Sequence, residues 1–274
     1  MSGDGVRRIA ERFATMRAEA RVGLITFVTA GFPERAATLP IVRGMVEGGA
    51  DIIELGVPFS DPLAEGPVIQ ASSQAALDAG VTPDVCLDIV CELRHNGIAT
   101  PLVLMGYYNP LLAYGVSRFV RAAAEAGVDG LIVLDLPPEE AGDVRNACIE
   151  TGLALIPLAA PTSSDERLAL VGRVAQGFVY CVSVRGVTGA RDELPADLPE
   201  FVARVQRHTN LPVAVGFGVS RREHVEAVGR VADAAVIGSA IVRLVAEAPP
   251  AEREERVRAY VEMVTGRKGA DVPQ

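Results

Sequence analysis

Apolar residues run in short unbroken stretches along this chain, and longer segments of helical period lie between them. After an amphipathic opening segment at 6–20, aliphatic and β-branched runs recur at 22–31, 51–57, 101–106, 130–136, 154–160, 178–184, 212–218 and 234–240. Each is apolar at nearly every position, which predicts strands buried on both faces, as in a parallel sheet covered by helices. Helical periods fill 36–48, 83–96, 116–126, 138–151, 164–175, 198–209 and 221–228. Ser164 ahead of Asp165 and Glu166 predicts an N-cap, and Ser220 with Glu223 a capping box. Gly49, Gly127 and Gly152 fall where helices must stop. Eight βα units in 274 residues fit a closed α/β (β/α)8 barrel, a TIM barrel, better than an open doubly wound sheet. With no linker or low-complexity tract, the expectation is one domain over 1–274. It would have an extra N-terminal helix, a core at about 8–265 and a tail disordered from about 266.

Composition narrows the class. Acidic residues outnumber basic ones, 35 to 26, for a net charge of −9. That balance argues against binding a nucleic-acid backbone, which needs clustered Lys and Arg. The apolar runs are far shorter than the ~20 residues that span a membrane. Arg7, Arg8, Glu11 and Arg12 interrupt the N-terminus before a signal-like apolar region can form. Cys86, Cys91, Cys148 and Cys181 form no CxxC pair, which suits reduced thiols in a cytoplasm.

In a barrel of this kind chemistry gathers where strands end and their loops begin. The second run continues as IIELGVPFSDPLAEG, 52–66. Glu54 lies inside it, and alternation sets it on the face opposite Ile53 and Leu55, toward the barrel mouth. Burial there would raise its pKa, as suits a general acid/base. The other reading is a carboxylate paired with a core Arg or Lys, yet no basic residue lies in any other strand run. Asp61 and Glu65 follow among Pro58, Pro62, Gly66 and Pro67. Such residues are commonly solvated turn formers, but a long stiff loop at this end of a strand is also where binding loops live.

Glycines outline a second feature. Gly216 and Gly218 end the seventh run, Gly238 and Ser239 end the eighth and open the last helix, and Gly189 follows the sixth. Each alone could be a turn residue; together they predict a phosphate site, with backbone N–H groups and a helix N-terminus facing the anion. The segment 185–197 lacks periodicity and reads as a lid or as an ordinary long loop. His95, His208 and His224 fall in or beside outer helices, away from any metal or Ser–His arrangement. The one lysine, Lys268, lies in the tail, so an amine-based aldolase has no core nucleophile.

The stretch 52–66, with FVTAG (27–31), YYNP (107–110), SVRGVTGAR (183–191), VGFGVS (215–220) and IGSAIV (237–242), closely resembles the tryptophan synthase alpha chain family, from about residue 8 to 247. The resemblance implies a lyase of tryptophan biosynthesis. Its reaction is retro-aldol cleavage of indole-3-glycerol phosphate to indole and glyceraldehyde 3-phosphate. By the same resemblance Glu54 is the general acid/base, serving indole C3 and the glycerol hydroxyl, and Glu65 the second carboxylate, which polarises the indole N–H. Gly189, Gly218, Gly238 and Ser239 would hold phosphate. Phe27, Tyr107 and Tyr180 would line the indole pocket, and Thr188 would be the lid residue over the second carboxylate.

The family usually has Asp where this chain has Glu65. The added methylene lengthens reach by about 1.5 Å, and a misplacement of that size can cost on the order of a hundredfold in rate. Compensation by the loop is the expectation, because Glu keeps the charge and the acceptor oxygens. The resemblance further implies a cytoplasmic alpha–beta–beta–alpha heterotetramer. The beta chain would carry pyridoxal phosphate and this chain no cofactor or metal, with Pro58, Asp61 and Asn109 facing the partner. A free-standing lyase, a non-catalytic phosphate-binding barrel and, on fold alone, a sugar-phosphate isomerase are the competing readings.

Overall fold

The structure is a computed structural model that describes residues 4–182, 195–216 and 218–267. Strands β1 (Gly23–Thr29), β2 (Ile52–Gly56), β3 (Leu102–Gly106), β4 (Gly130–Val133), β5 (Ala154–Leu155), β6 (Leu158–Ala159), β7 (Val179–Val182), β8 (Val213–Gly216) and β9 (Ala234–Ile237) form one parallel sheet. The strand order is β5-β4-β3-β2-β1-β9-β8-β7-β6. The run expected as a single fifth strand is thus two short ones, because Pro157 has no N–H to give a ladder. Its two halves face different neighbours: Ile156 donates to the Leu131 carbonyl beyond β5, and Tyr180 donates to the Pro157 carbonyl before β6. The ends of the sheet are therefore adjacent in the chain, and the ring closes through them.

Helices α1 (Gly5–Ala18), α2 (Thr38–Glu47), α3 (Pro67–Asp78), α4 (Pro83–His95), α5 (Tyr108–Tyr114), α6 (Val116–Ala126) and α7 (Gly142–Thr151) accompany the first half. Helices α8 (Asp165–Val174), α9 (Leu198–Gln206), α10 (Arg222–Gly229), α11 (Ser239–Glu247) and α12 (Arg253–Thr265) accompany the second. Strand residues of one parity, such as Leu24, Ile53, Leu55 and Leu104, join the helices in an outer core with Ile41, Met45 and Phe119. Those of the other parity fill the barrel: Ile25, Ile52, Val103, Ile132, Ile156 and Phe178. Continuous apolar runs follow from this, since both faces are dry. Among the described residues no helix is long and apolar enough to cross a membrane.

Helix α1 closes the end of the barrel where the strands begin. Its Ile9, Phe13 and Met16 belong to the inner core, and the Phe13 and Phe178 rings meet with centroids 5.6 Å apart. Gly23 opens β1 without a side chain because a Cβ there would lie 2.3 Å from Met16 Sδ. The polar side of α1 is fixed by charge. Arg8, Arg12 and Arg17 approach Asp129, Asp51 and Asp233 at 2.6, 4.0 and 3.6 Å. Each Asp also accepts the N–H of a neighbouring strand: Asp129 from Leu102, Asp51 from Leu24 and Asp233 from Val213.

Three local expectations change. Arg267, placed on the frayed tail, is tied down, its guanidinium 2.7 Å from buried Asp51 and donating to the Gly49 carbonyl; residues 268–274 lie outside the described residues. The capping box at Ser220 is absent: Arg221 is the N-cap of α10 and makes no side-chain capping bond, and the Ser220 N–H donates to His224 Nδ1 instead. His224, expected outside, is buried. Ser164 caps α8 as read, accepting from the Arg167 N–H.

Candidate active site

Glu54 sits in β2 with Ile52, whose side chain is in the barrel interior, so the two-residue period turns Glu54 inward as well. It is fully buried, and among the described residues neither carboxylate oxygen has a hydrogen-bond partner. The salt-bridge reading for this side chain is therefore excluded among them. With nothing to stabilise its charge, burial pushes the carboxyl up to about 8. At neutral pH it holds a proton that it can surrender.

Two aromatic rings flank it, each seated on a glycine of the adjacent strand. Phe27 pairs in register with Glu54 and lies over Gly56, where a Cβ would fall 2.6 Å from the ring. Tyr180 lies across Gly216, where a Cβ would fall 2.6 Å from its hydroxyl oxygen. Burial drives the Tyr180 phenol well above its ordinary range, and the charges of Glu54 and Glu65 push it further. Both carboxylates therefore lie close enough to Tyr180 to act on one hydroxyl.

Glu65 comes from the loop between β2 and α3. It is half-buried, and desolvation raises it to about 7. The loop is held from several sides. The Ala64 N–H donates to the Tyr107 hydroxyl at 3.0 Å, and the Tyr107 ring meets Phe59 with centroids 5.0 Å apart. Ser73 Oγ accepts the Phe59 N–H at 2.9 Å. Tyr107 thus spends its hydroxyl on the loop while its ring stays buried. In the same loop Pro58 is buried at the base and Asp61 is exposed, while Asn109 is exposed on α5.

On the β8 and β9 side, Gly218 turns left-handed (φ 64°) ahead of α10, and Gly238 is the N-cap of α11, which starts at Ser239. The first N–H groups of a helix have no acceptor within it, and its dipole favours an anion there. A Cβ at Gly238 would lie 3.5 Å from Phe27, so this helix start stands beside the residue that pairs with Glu54. Thr188 and Gly189 lie outside the described residues, as do the rest of 183–194 and Phe217.

Sequence reasoning missed the two ring-seating glycines, although a small residue beside an aromatic on the next strand is a readable signal. It also missed the ties that hold the loop, which come from Tyr107 ahead of α5 and Ser73 in α3 and leave no periodic trace. Among the described residues no cluster of three or more His, Cys, Asp or Glu is arranged to hold a metal, and Cys86, Cys91, Cys148 and Cys181 are free thiols.

The chain matches the family model described as tryptophan synthase alpha chain over residues 13–270. It is 48% identical over 259 residues to the tryptophan synthase alpha chain of Roseiflexus castenholzii, covering 94% of this chain and 99% of that one. It is also 50% identical over 256 residues to the tryptophan synthase of Saccharomyces cerevisiae, covering 93% of this chain but 36% of that longer protein. Among solved structures, tryptophan synthase from Mycobacterium tuberculosis superposes with a TM-score of 0.87 at 37% identity, covering 97% of this chain and 98% of that one. The tryptophan synthase alpha chain of Legionella pneumophila gives 0.86 at 35%, covering 97% of each. A family model matched over residues 13–270, and a relative 48% identical over nearly the whole of both chains, show where this chain falls: it belongs to the tryptophan synthase alpha chain family.

Proposed function

We propose that Glu54 and Glu65 together carry the family's lyase reaction, cleavage of indole-3-glycerol phosphate to indole and glyceraldehyde 3-phosphate. Protonated Glu54 gives its proton to indole C3, which makes that carbon tetrahedral and weakens its bond to the glycerol chain. As the bond breaks, its electrons return to the ring, the glycerol hydroxyl becomes the aldehyde, and the Glu54 carboxylate takes the hydroxyl proton. Proton and electrons balance with no further reactant. Ionised Glu65 accepts from the indole N–H, which carries positive charge as C3 is protonated. Phosphate binds Gly238 and Ser239 at the start of α11, together with Gly218 ahead of α10 and Gly189; Phe27, Tyr107 and Tyr180 enclose the ring, and Thr188 closes over Glu65. This chain needs no cofactor, pyridoxal phosphate belonging to the beta chain.

The observation that carries this reading is the buried, partnerless Glu54. Glu54→Gln tests it: indole release should fall on the order of a thousandfold with folding intact. An unchanged rate would overturn the catalytic role of Glu54.

The partner reading rests on the loops above the mouth. Leu63 is 92% exposed in the β2–α3 loop and Leu112 is 54% exposed on α5, close in sequence to Asp61 and Asn109. We infer that this face docks the beta chain in a cytoplasmic alpha–beta–beta–alpha complex, with Pro58 shaping the loop from beneath. Indole release with and without a beta chain decides between this and a free-standing lyase.

A further inference from the structure

We propose that Gln70 is a positioning residue for Glu65, which it serves by pinning the backbone of residues 62–65; this rests on Glu65 acting in the reaction as argued above. Gln70 stands in the first turns of α3 and reaches back over the loop. Its Nε2 donates to the Glu65 carbonyl at 2.9 Å and lies 3.4 Å from the Pro62 carbonyl. An amide nitrogen has two hydrogens, so both carbonyls can be served at once. The Glu65 N–H donates to the same Pro62 carbonyl, closing a turn. On the other flank the Ala64 N–H is held by Tyr107. The peptide units on both sides of the Glu65 Cα are thereby fixed.

The support behind Gln70 is rigid. The hydroxyls of Thr29, in β1, and Ser72, in α3, meet at 2.6 Å, and Ser73 holds Phe59. An exposed glutamine ordinarily keeps its rotamer freedom in water; this one gives it up to two backbone acceptors. Glutamate has one more rotatable bond than aspartate, so the position of its oxygens depends more heavily on a fixed Cα. Rates fall steeply with sub-ångström to ångström misplacement of a reacting group. Among the described residues the Gln70 side chain hydrogen-bonds no other site side chain, so its effect on the chemistry runs through Glu65.

Gln70→Met keeps length and helix preference but removes the donor. With indole-3-glycerol phosphate as substrate, kcat should fall about tenfold while KM stays within about twofold, and the acid limb of the pH–kcat profile should move. In a Glu65→Gln background the same change should add no further loss. Gln70→Glu, of equal size and without a donor when ionised, should behave alike and serves if Gln70→Met folds poorly. Wild-type kcat and acid limb in both variants, or losses that multiply with Glu65→Gln, would overturn the proposal. If Glu65→Gln itself retains full rate, the catalytic reading of Glu65 fails and this inference fails with it; a slow Glu65→Gln beside a fast Gln70→Met sinks this inference alone.

Discussion

Tyr180 lies across the α-carbon of Gly216 on the neighbouring strand, so closely that a methyl group there would come within 2.6 Å of the phenol oxygen. The pocket wall beside Glu54 is shaped by what Gly216 lacks. Gly216→Ala should push the ring toward the space the substrate ring needs. We expect KM to rise and indole release to fall about tenfold, with a stability loss of about 1–3 kcal/mol, the usual range for overpacking. Normal kinetics in a folded variant would show that Tyr180 has room to move.

The two carboxyls should give a bell-shaped pH profile. Glu65 must be ionised to accept the indole N–H and Glu54 protonated to donate, and burial sets them at about 7 and about 8. kcat/KM should therefore drop below the first value and above the second, the two limbs being shared because the groups occupy one site. Glu65→Gln should abolish the acid limb of whatever activity remains.

Stability should follow pH in the opposite sense to an ordinary salt-bridged acid. A carboxyl whose folded pKa lies above its unfolded one binds more protons when folded, so its contribution is present at low pH and is lost as pH rises from about 4.5 through about 8. Glu54→Gln should match the wild type near pH 4 and be more stable above pH 8, on the order of 5 kcal/mol. Denaturant melts at the two pH values check this; an equal difference at both would show that Glu54 ionises without cost.

Glu65→Asp is expected to lower turnover, about tenfold, because the loop backbone is pinned where the longer side chain reaches. A large gain in kcat would instead mark Glu65 as a handicap in this chain.

At the opposite end of the barrel, Asp129 is fully buried between Arg8 and Arg94 and accepts the Leu102 N–H. Asp129→Asn leaves two guanidiniums without their anion and should cost about 3 kcal/mol. Indole release per folded molecule should stay within twofold, since stability and chemistry occupy different ends. A kinetic defect larger than the folding defect would refute that separation.

The alternation of unbroken apolar runs with helical periods was enough to read the barrel, because strands buried on two faces leave a signature that no amphipathic surface imitates. Glu54 was legible for the same reason: a charge inside such a run stands out. The break at Pro157 was less so, since a proline ends hydrogen bonding on one side only and the run stays apolar through it. Gln70, Ser73 and the Gly56 and Gly216 seats were illegible because their roles depend on a loop folding back or on the neighbouring strand. Asp51, Asp129 and Asp233 precede their strands like any turn acid; only the arginines of α1 give them a shared role.

That helix also decides traffic. With Ile9, Phe13 and Met16 stoppering the other end of the barrel, the proposed site at Glu54 would have its doorway at the loop end, and substrate would arrive and indole depart through one opening. A protein seated on the loops bearing Leu63 and Leu112 would stand at that threshold, and whatever it did to the doorway would govern the whole turnover.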